Sequence, residues 1–373
     1  MVPHCGSSAP PRRATAGWVV YKSLMEDRPL RSFDPSMLRE AMARRLYRRS
    51  IAAGQITVPA VPAMIDEYIK MFNNISASVG AQQTAEEGAQ LRMMLETELA
   101  RAYTASHRSN IVIKYHAPFG IGLNYRVEAE WSTVAGDYNT WVGSREGPLF
   151  GTEPDARVWG LAEEAADPKT YRVLDIGAGT GRNALALARR GHPVDAVEMT
   201  PKFADTIRSE AERESLDVSV IESDAFETMD GVRNDYQLIV ASEVLPDFRT
   251  TQELRGVLEL SADCLAPGGR LVFNAFLARP GYIPDNAALE LGQQCNTMIF
   301  TRDEMTSAAA QLPIELVADD SVIEYERTHL PQGAWPPTNW FAGWANGLDL
   351  FDVEPGESPI ELRWIVYQKV PSQ

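Results

Sequence analysis

In the segment RVLDIGAGTGRN, residues 172 to 183, an apolar run leads through an acid into glycines at 177, 179 and 181. Glycine lets backbone amides approach a ligand closely and tolerates positive φ. The run before it is short and apolar, as buried parallel strands are, and residues 182–190 read as a helix. The glycines therefore occupy a strand-to-helix turn. A ligand held at the carboxyl ends of parallel strands meets the chain at such a turn, where side chains would block it. Asp175 is placed to orient the loop or to bind the cationic end of a ligand. Glu198, which ends the next strand, is placed to accept hydrogen bonds from both hydroxyls of a ribose.

Two ligands use such a turn. A nicotinamide dinucleotide pairs with GxGxxG, whereas this chain has GxGxG preceded by an acid, and an aspartate beside the loop repels a pyrophosphate. A cationic nucleoside matches better. S-adenosylmethionine carries an ammonium and a sulfonium and no phosphate.

The elements that must position these residues form two halves. Around the glycine loop, strands RVLDIG (172–177), PVDAVE (193–198), VSVIES (218–223), YQLIVASE (236–243) and GRLVFNAF (269–276) alternate with helices near 182–190, 201–215 and 251–266. This alternation implies an α/β fold, a doubly wound, mostly parallel sheet. IELVADDSVIEYE (314–326) and IELRWIVYQKV (360–370) read as two further strands. The first half is helical. DPSMLREAMARRLYRR places Leu38, Met42 and Leu46 on one face, Pro62 begins a second helix, and Thr84 with Glu87 forms a capping box for a third. IVIKY (111–115) and LNYRVEAEW (123–131) then read as a β-hairpin. The expected organisation is a flexible tail over 1–33, a helical and hairpin module over 34–150 that caps the substrate or oligomerises, and a main domain over 151–373.

LDIGAGTGRNALALARRGHPVDAVE resembles the first motif and second strand of class I S-adenosylmethionine-dependent methyltransferases. Its GRNALALARRGH portion is similar to the tellurite-resistance and ubiquinone-pathway branches. Asp224 in ESDAFE, SEVLPDF (242–248), LAPGGRLVF (265–273) and the closing IELRWIVYQK match later landmarks in order, so the resemblance covers about 171–373. It implies a seven-stranded Rossmann-like sheet and S-adenosylmethionine as cofactor. Gly177, Ala178, Gly179 and Gly181 would floor its methionine and ribose portions, and Asp175 would face the ammonium. Glu198 would hold the ribose, with Met199 beside the adenine. Asp224 would meet the adenine amine with Ala225 and Phe226 against the ring, and Ser242 would line the same site. AGDYNTWV (135–142) resembles a segment that folds over the cofactor in many such domains, through Tyr138 and Trp141.

Methyl transfer asks the protein mainly for alignment and desolvation, and for a base only if the nucleophile must lose a proton. Glu243 and Asp247, an i, i+4 pair after the fourth strand, are candidates to hold a cationic amine or share a proton. The competing reading is helix-start acids favoured by the macrodipole. His329, in a loop, is the third candidate. Within the insertion 327–347, Trp335, Trp340 and Trp344 are positioned to wall an acceptor pocket, where aromatic faces attract cations, or else to seal the sheet edge.

Bulk composition bounds the rest. An apolar content of 45% suits a core-forming globular chain, and a formal charge of −16 argues against nucleic-acid partners. The basic run RRLYRR reads as a solvated face. Cys5, Cys264 and Cys295 are too few and scattered for a disulfide framework or a zinc cluster, so no metal and a reducing, cytoplasmic setting are expected, with a twin-arginine secretion signal as the alternative. No apolar run approaches bilayer length. The reading is a methyltransferase that adds a methyl to nitrogen or oxygen of a small metabolite or natural product, possible as a homodimer. The alternatives are a detoxifying thiol or metalloid methyltransferase and a non-catalytic S-adenosylmethionine binder.

Overall fold

Neighbouring residues Val173 and Leu174 of one strand are both fully buried, and they belong to different apolar clusters. Successive strand side chains point to opposite faces, so this sheet is covered on both sides, as a doubly wound fold requires. The computed structural model describes residues 34–81, 83–117, 123–133, 136, 149–224 and 232–371. The main sheet contains β4 (Val173–Ile176), β5 (Val194–Val197), β6 (Val218–Ile221), β7 (Tyr236–Ala241), β8 (Leu265–Ala278), β10 (Ile314–Ser321) and β11 (Ile360–Lys369). Their spatial order is β10-β11-β8-β7-β4-β5-β6, and a two-residue strand β9 (Ile299–Phe300) pairs beside β8. Strands β4 to β8 run parallel, whereas β11 and β10 are antiparallel. The seven-stranded, mostly parallel sheet expected from the sequence is present, with β9 as an eighth.

From β4 the chain moves outward through β5 and β6, then returns to place β7 on the other side of β4. That reversal creates the crevice at the carboxyl ends of the strands where such folds take ligands. Ile176 is in register with Val197, and Asp175 with Val240. The segments after β4, β5 and β7 therefore emerge side by side.

The N-terminal module is built from α1 (Pro35–Ser50), α2 (Ile65–Val79) and α3 (Ala85–Ala105), the last opened by the expected Thr84–Glu87 capping box. Its sheet has three strands rather than two. β1 (Ala53–Pro59) pairs antiparallel with β2 (Asn110–His116), which pairs with β3 (Asn124–Glu130). Gly54 and Pro59 shorten the alternating run of β1 to a pattern too brief to read as a strand. Buried Phe72, Leu91, Leu95, Leu99 and Ile111 make this module's own core. Helix α1 buries none of its residues, so the Leu38, Met42 and Leu46 face lies at the surface with the basic run.

The helices of the main domain are α4 (Ala156–Glu163), α5 (Arg182–Arg189), α6 (Pro201–Glu214), α7 (Thr251–Cys264), α8 (Asn286–Gln294), α9 (Arg302–Ala309), α10 (Val322–His329) and the short α11 (Phe341–Ala345). One expected strand is corrected. Residues 314–326 extend only to Ser321, whose side chain accepts from the Glu324 amide and caps α10. Beyond that cap the burial repeats at i, i+4, through Val322 and Glu326, which is a helical period.

Candidate active site

The parallel strands end in a cavity of about 320 Å³, within the usual range of small-molecule sites. One end is lined by Asp175, Gly177, Ala178, Gly179, Glu198, Met199 and Asp224, from the ends of β4, β5 and β6. The other is lined by Ser242, Glu243, Asp247, Phe248 and Arg249 after β7, by Glu253 of α7, and by His107 from the N-terminal module.

The glycine bend is shaped by contact as well as by conformation. Gly177 has φ +66, and a Cβ there would stand 2.5 Å from Cγ2 of Val244. Gly179 has φ +57, and a Cβ would meet Phe150 at an ordinary 3.5 Å. Gly181 has a different task from the one expected: it does not line the cavity. It caps α5 with φ +87, and a Cβ would press on Leu185 and Ile207, so this glycine lets helix pack on helix.

Asp175 is 2% exposed, and its Oδ2 has no hydrogen-bond partner. Burial, reinforced by the charge of Asp155, pushes its carboxyl up to about 7, against the pull of Arg182. An acid so placed asks for a cation. Glu198, also buried, accepts from the Gly179 amide at 2.8 Å through Oε2 and from the Thr200 amide at 2.6 Å through Oε1. Burial raises its pKa while these amides oppose the rise. Glu198 thus ties the glycine bend to the end of β5. Met199 is 48% exposed on the cavity rim.

Behind the bend lies a buried polar network that the sequence reading missed. Asp155 accepts from Arg182 Nη1 at 2.6 Å, from Asn183 Nδ2 at 2.9 Å and from Ser242 Oγ at 2.7 Å. Arg182 Nη2 donates to Glu243 Oε1 at 2.8 Å. Glu243 has φ +60, unusual for a side-chain-bearing residue, and its amide donates to Asn274 Oδ1 at 2.8 Å. Burial raises the Glu243 carboxyl and Arg182 restrains it.

Asp247 also arrives already engaged. Its Oδ1 accepts from Arg108 Nη2 at 2.6 Å and from Asn296 Nδ2 at 2.6 Å. Arg108 Nη1 donates in turn to Gln294 O and Asn296 Oδ1. Only 5% of the Arg108 side chain is exposed, so this ion pair is the buried clasp that docks the N-terminal module beside β7. Its sequence neighbour His107 reaches the cavity because of that clasp.

Four predicted residues fall away from the cavity. His329 ends α10, where its Nδ1 meets Tyr325 O at 2.8 Å and its ring stacks on Tyr325. Trp344 is buried edge-on to Phe276 and donates from Nε1 to Asn296 O at 2.8 Å. Trp335 and Trp340 pack around Phe341 in the same core. The indoles seal the core beside the β8–β11 part of the sheet, because their large apolar faces are better satisfied by Phe276 and Phe341 than by an open cavity. Tyr138, Trp141, Ala225 and Phe226 lie outside the described residues. Among the described residues no group of three His, Cys, Asp or Glu side chains is placed to hold a metal ion, and no helix is long and apolar enough to cross a membrane.

Residues 173–269 match the family model of the methyltransferase domain. These residues form a methyltransferase domain. Over 126 residues the chain is 30% identical to the ubiquinone biosynthesis O-methyltransferase of Methylocella silvestris, covering 33% of this chain and 47% of that one. Over 139 residues it is 30% identical to a probable non-canonical nonribosomal peptide synthetase, CymA, of Salinispora arenicola, covering 36% of this chain and 2% of that one. The chain thus spans less than half the length of these two curated relatives. Among solved structures, geranyl diphosphate C-methyltransferase from Streptomyces coelicolor, in complex with S-adenosyl-L-homocysteine, is similar at a TM-score of 0.45 and 15% identity, over 63% of this chain and 98% of that one.

The cofactor of a class I methyltransferase domain is S-adenosylmethionine, and the cavity suits it. The partnerless buried oxygen of Asp175 calls for a positive group, and Gly177 and Gly179 line the cavity beside it with backbone alone.

Proposed function

We propose that this protein transfers the methyl group of S-adenosylmethionine to a small molecule held between the loop after β7 and His107. The observation that carries the reading is the lone Oδ2 of Asp175, buried at the floor of a glycine-lined cavity. Asp175 would hold the cofactor's ammonium, the bend from Gly177 to Gly179 would underlie its methionine and ribose, and Glu198 and Asp224 would engage the ribose and adenine. When bound, the cofactor supplies a methyl group on a positively charged sulfur, already activated for displacement.

The chain's own contribution is position and exclusion of water. Glu198 fixes the bend through the Gly179 amide. Arg182 holds Glu243 in place after β7, and Arg108 holds Asp247. We read Asp247 as a structural anchor of the N-terminal module and Glu243 as a positioned wall of the acceptor space. The N-terminal module acts as the cap that carries His107 to that wall. The acceptor atom is a nitrogen or an oxygen in this reading. A thiol or metalloid acceptor has less support, since neither Cys264 nor Cys295 lines the cavity.

The test is calorimetric titration of the full chain with S-adenosylmethionine and with S-adenosylhomocysteine. One site for each is expected. Absence of binding to both would overturn the reading and leave the domain degenerate.

A further inference from the structure

The acids that line the acceptor end of the cavity are committed to protein partners. Glu243 is paired with Arg182. Asp247 is paired with Arg108 and bonded to Asn296. Glu253 closes the capping box of α7, its Oε2 accepting from the Arg249 amide, the Thr250 amide and the Thr250 hydroxyl. Two cationic side chains line the cavity among the described residues, Arg182 and Arg249. Arg182 is neutralised by Asp155 and Glu243. Arg249 has no acidic partner among the described residues: its Nη2 donates to Tyr103 O at 2.9 Å and its guanidinium stacks on the Tyr103 ring. Beside it His107, 7% exposed, lines the same wall with Nε2 lacking any hydrogen-bond partner.

A buried polar nitrogen without a partner and a cation without a counter-ion, on one wall of one cavity, are both completed by the same kind of ligand. We propose that the acceptor carries an anionic group, a carboxylate or a phosphate, bound by Arg249 and His107. The inference rests on the proposed function and names the substrate class for that site. It also reverses the expectation that Glu243 and Asp247 hold a cationic amine, because Arg182 and Arg108 already engage them. A guanidinium matches the geometry of either anion, and a charge-assisted bond is stronger than a neutral one. Burial, reinforced by the charges of Arg108 and Arg249, pushes the His107 imidazole down to about 4. At neutral pH it is therefore an uncharged hydrogen-bonding group. An imidazole of such low basicity is poorly matched to removing a proton from an acceptor. His107 is thus a binding residue in this account, and an anion beside it would draw its pKa upward.

The experiment follows the histidine ring signals by NMR, with His107→Gln assigning the resonance among the five histidines of the chain. The probes are benzoate and inorganic phosphate, with benzamide as the uncharged control, added to the full chain saturated with S-adenosylhomocysteine. At least one anion is expected to shift the His107 signals saturably and raise its pKa, and the choice between benzoate and phosphate distinguishes carboxylate from phosphate. Arg249→Gln should weaken that anion about tenfold or more with S-adenosylhomocysteine affinity unchanged. His107→Gln, followed by calorimetry, should weaken it several-fold, and it serves as the second variant if Arg249→Gln loosens the Tyr103 contact and unfolds. The proposal is overturned if neither anion saturates up to tens of millimolar, if benzamide binds as well as benzoate, or if both variants bind the anion like the wild type. Failure of S-adenosylhomocysteine to bind would overturn the proposed function instead, and the same titration on the free protein would still decide the anion site.

Discussion

Asp175→Asn separates the work of the site from the stability of the fold. The free protein carries a buried carboxyl pushed from 3.8 up to about 7. A displacement of that size corresponds to roughly 4 kcal/mol against the ionised form. The sign is fixed by linkage. Between pH 4 and 7 the folded state holds a proton at Asp175 that the unfolded state has released, so this group's contribution to stability falls as pH rises and levels off above 7. Asparagine keeps an acceptor oxygen and never ionises. The variant should therefore melt several degrees higher than the wild type at pH 8 and no differently at pH 4. Cofactor binding should move the other way. Losing a charge-assisted hydrogen bond to an ammonium costs about 1.5–3 kcal/mol, a weakening of about ten- to a hundredfold. Wild-type affinity for S-adenosylmethionine should rise from pH 6 to pH 8 as Asp175 ionises, and this dependence should vanish in the variant. Melting curves across pH, paired with calorimetry, read both effects. A variant less stable at pH 8 that binds the cofactor as tightly as the wild type would refute the reasoning.

Three further outcomes follow from the contacts. Gly177→Ala places a methyl in left-handed backbone, at about 1–2 kcal/mol, and drives it into Val244, at about 1–3 kcal/mol more; Gly179→Ala meets only the first cost, so denaturant midpoints should fall further for the former. Arg108→Ala leaves Asp247 without its cation in a largely buried site and should cost about 3–5 kcal/mol, with limited proteolysis releasing the N-terminal module first; retained docking would contradict the clasp. Trp344→Ala should cost about 3–5 kcal/mol as a core truncation while S-adenosylhomocysteine affinity is unchanged, whereas normal stability would return the indole to the acceptor wall.

The main sheet was legible because both of its signals are local. Each parallel strand is a short apolar run, and each turn at a strand's carboxyl end is marked by glycines or an acid. That Asp175, Gly177, Gly179 and Glu198 line one cavity was legible for the same reason, since they lie within two successive strand ends. The acceptor end was not. His107 and Arg108 are distant in sequence from Asp247, and nothing in a lone His-Arg pair says that a buried ion pair will carry it to β7. The partners of Glu243 and Asp247 were not legible because Arg182 and Arg108 come from other elements. The tryptophans of the insertion looked like a pocket because composition records how many aromatic faces there are and not what they face. Residues 314–326 misled because apolar residues continue on both sides of Ser321, where a single cap turns strand into helix.

A crystal structure of the full chain with S-adenosylhomocysteine tests the central claim most directly. The account predicts the ligand's amine within hydrogen-bond distance of Asp175 Oδ2, its ribose over the bend from Gly177 to Gly179, and its sulfur facing the space before His107 and Arg249. A ligand seated elsewhere, or a bend packed against protein with Asp175 bonded internally, would contradict it.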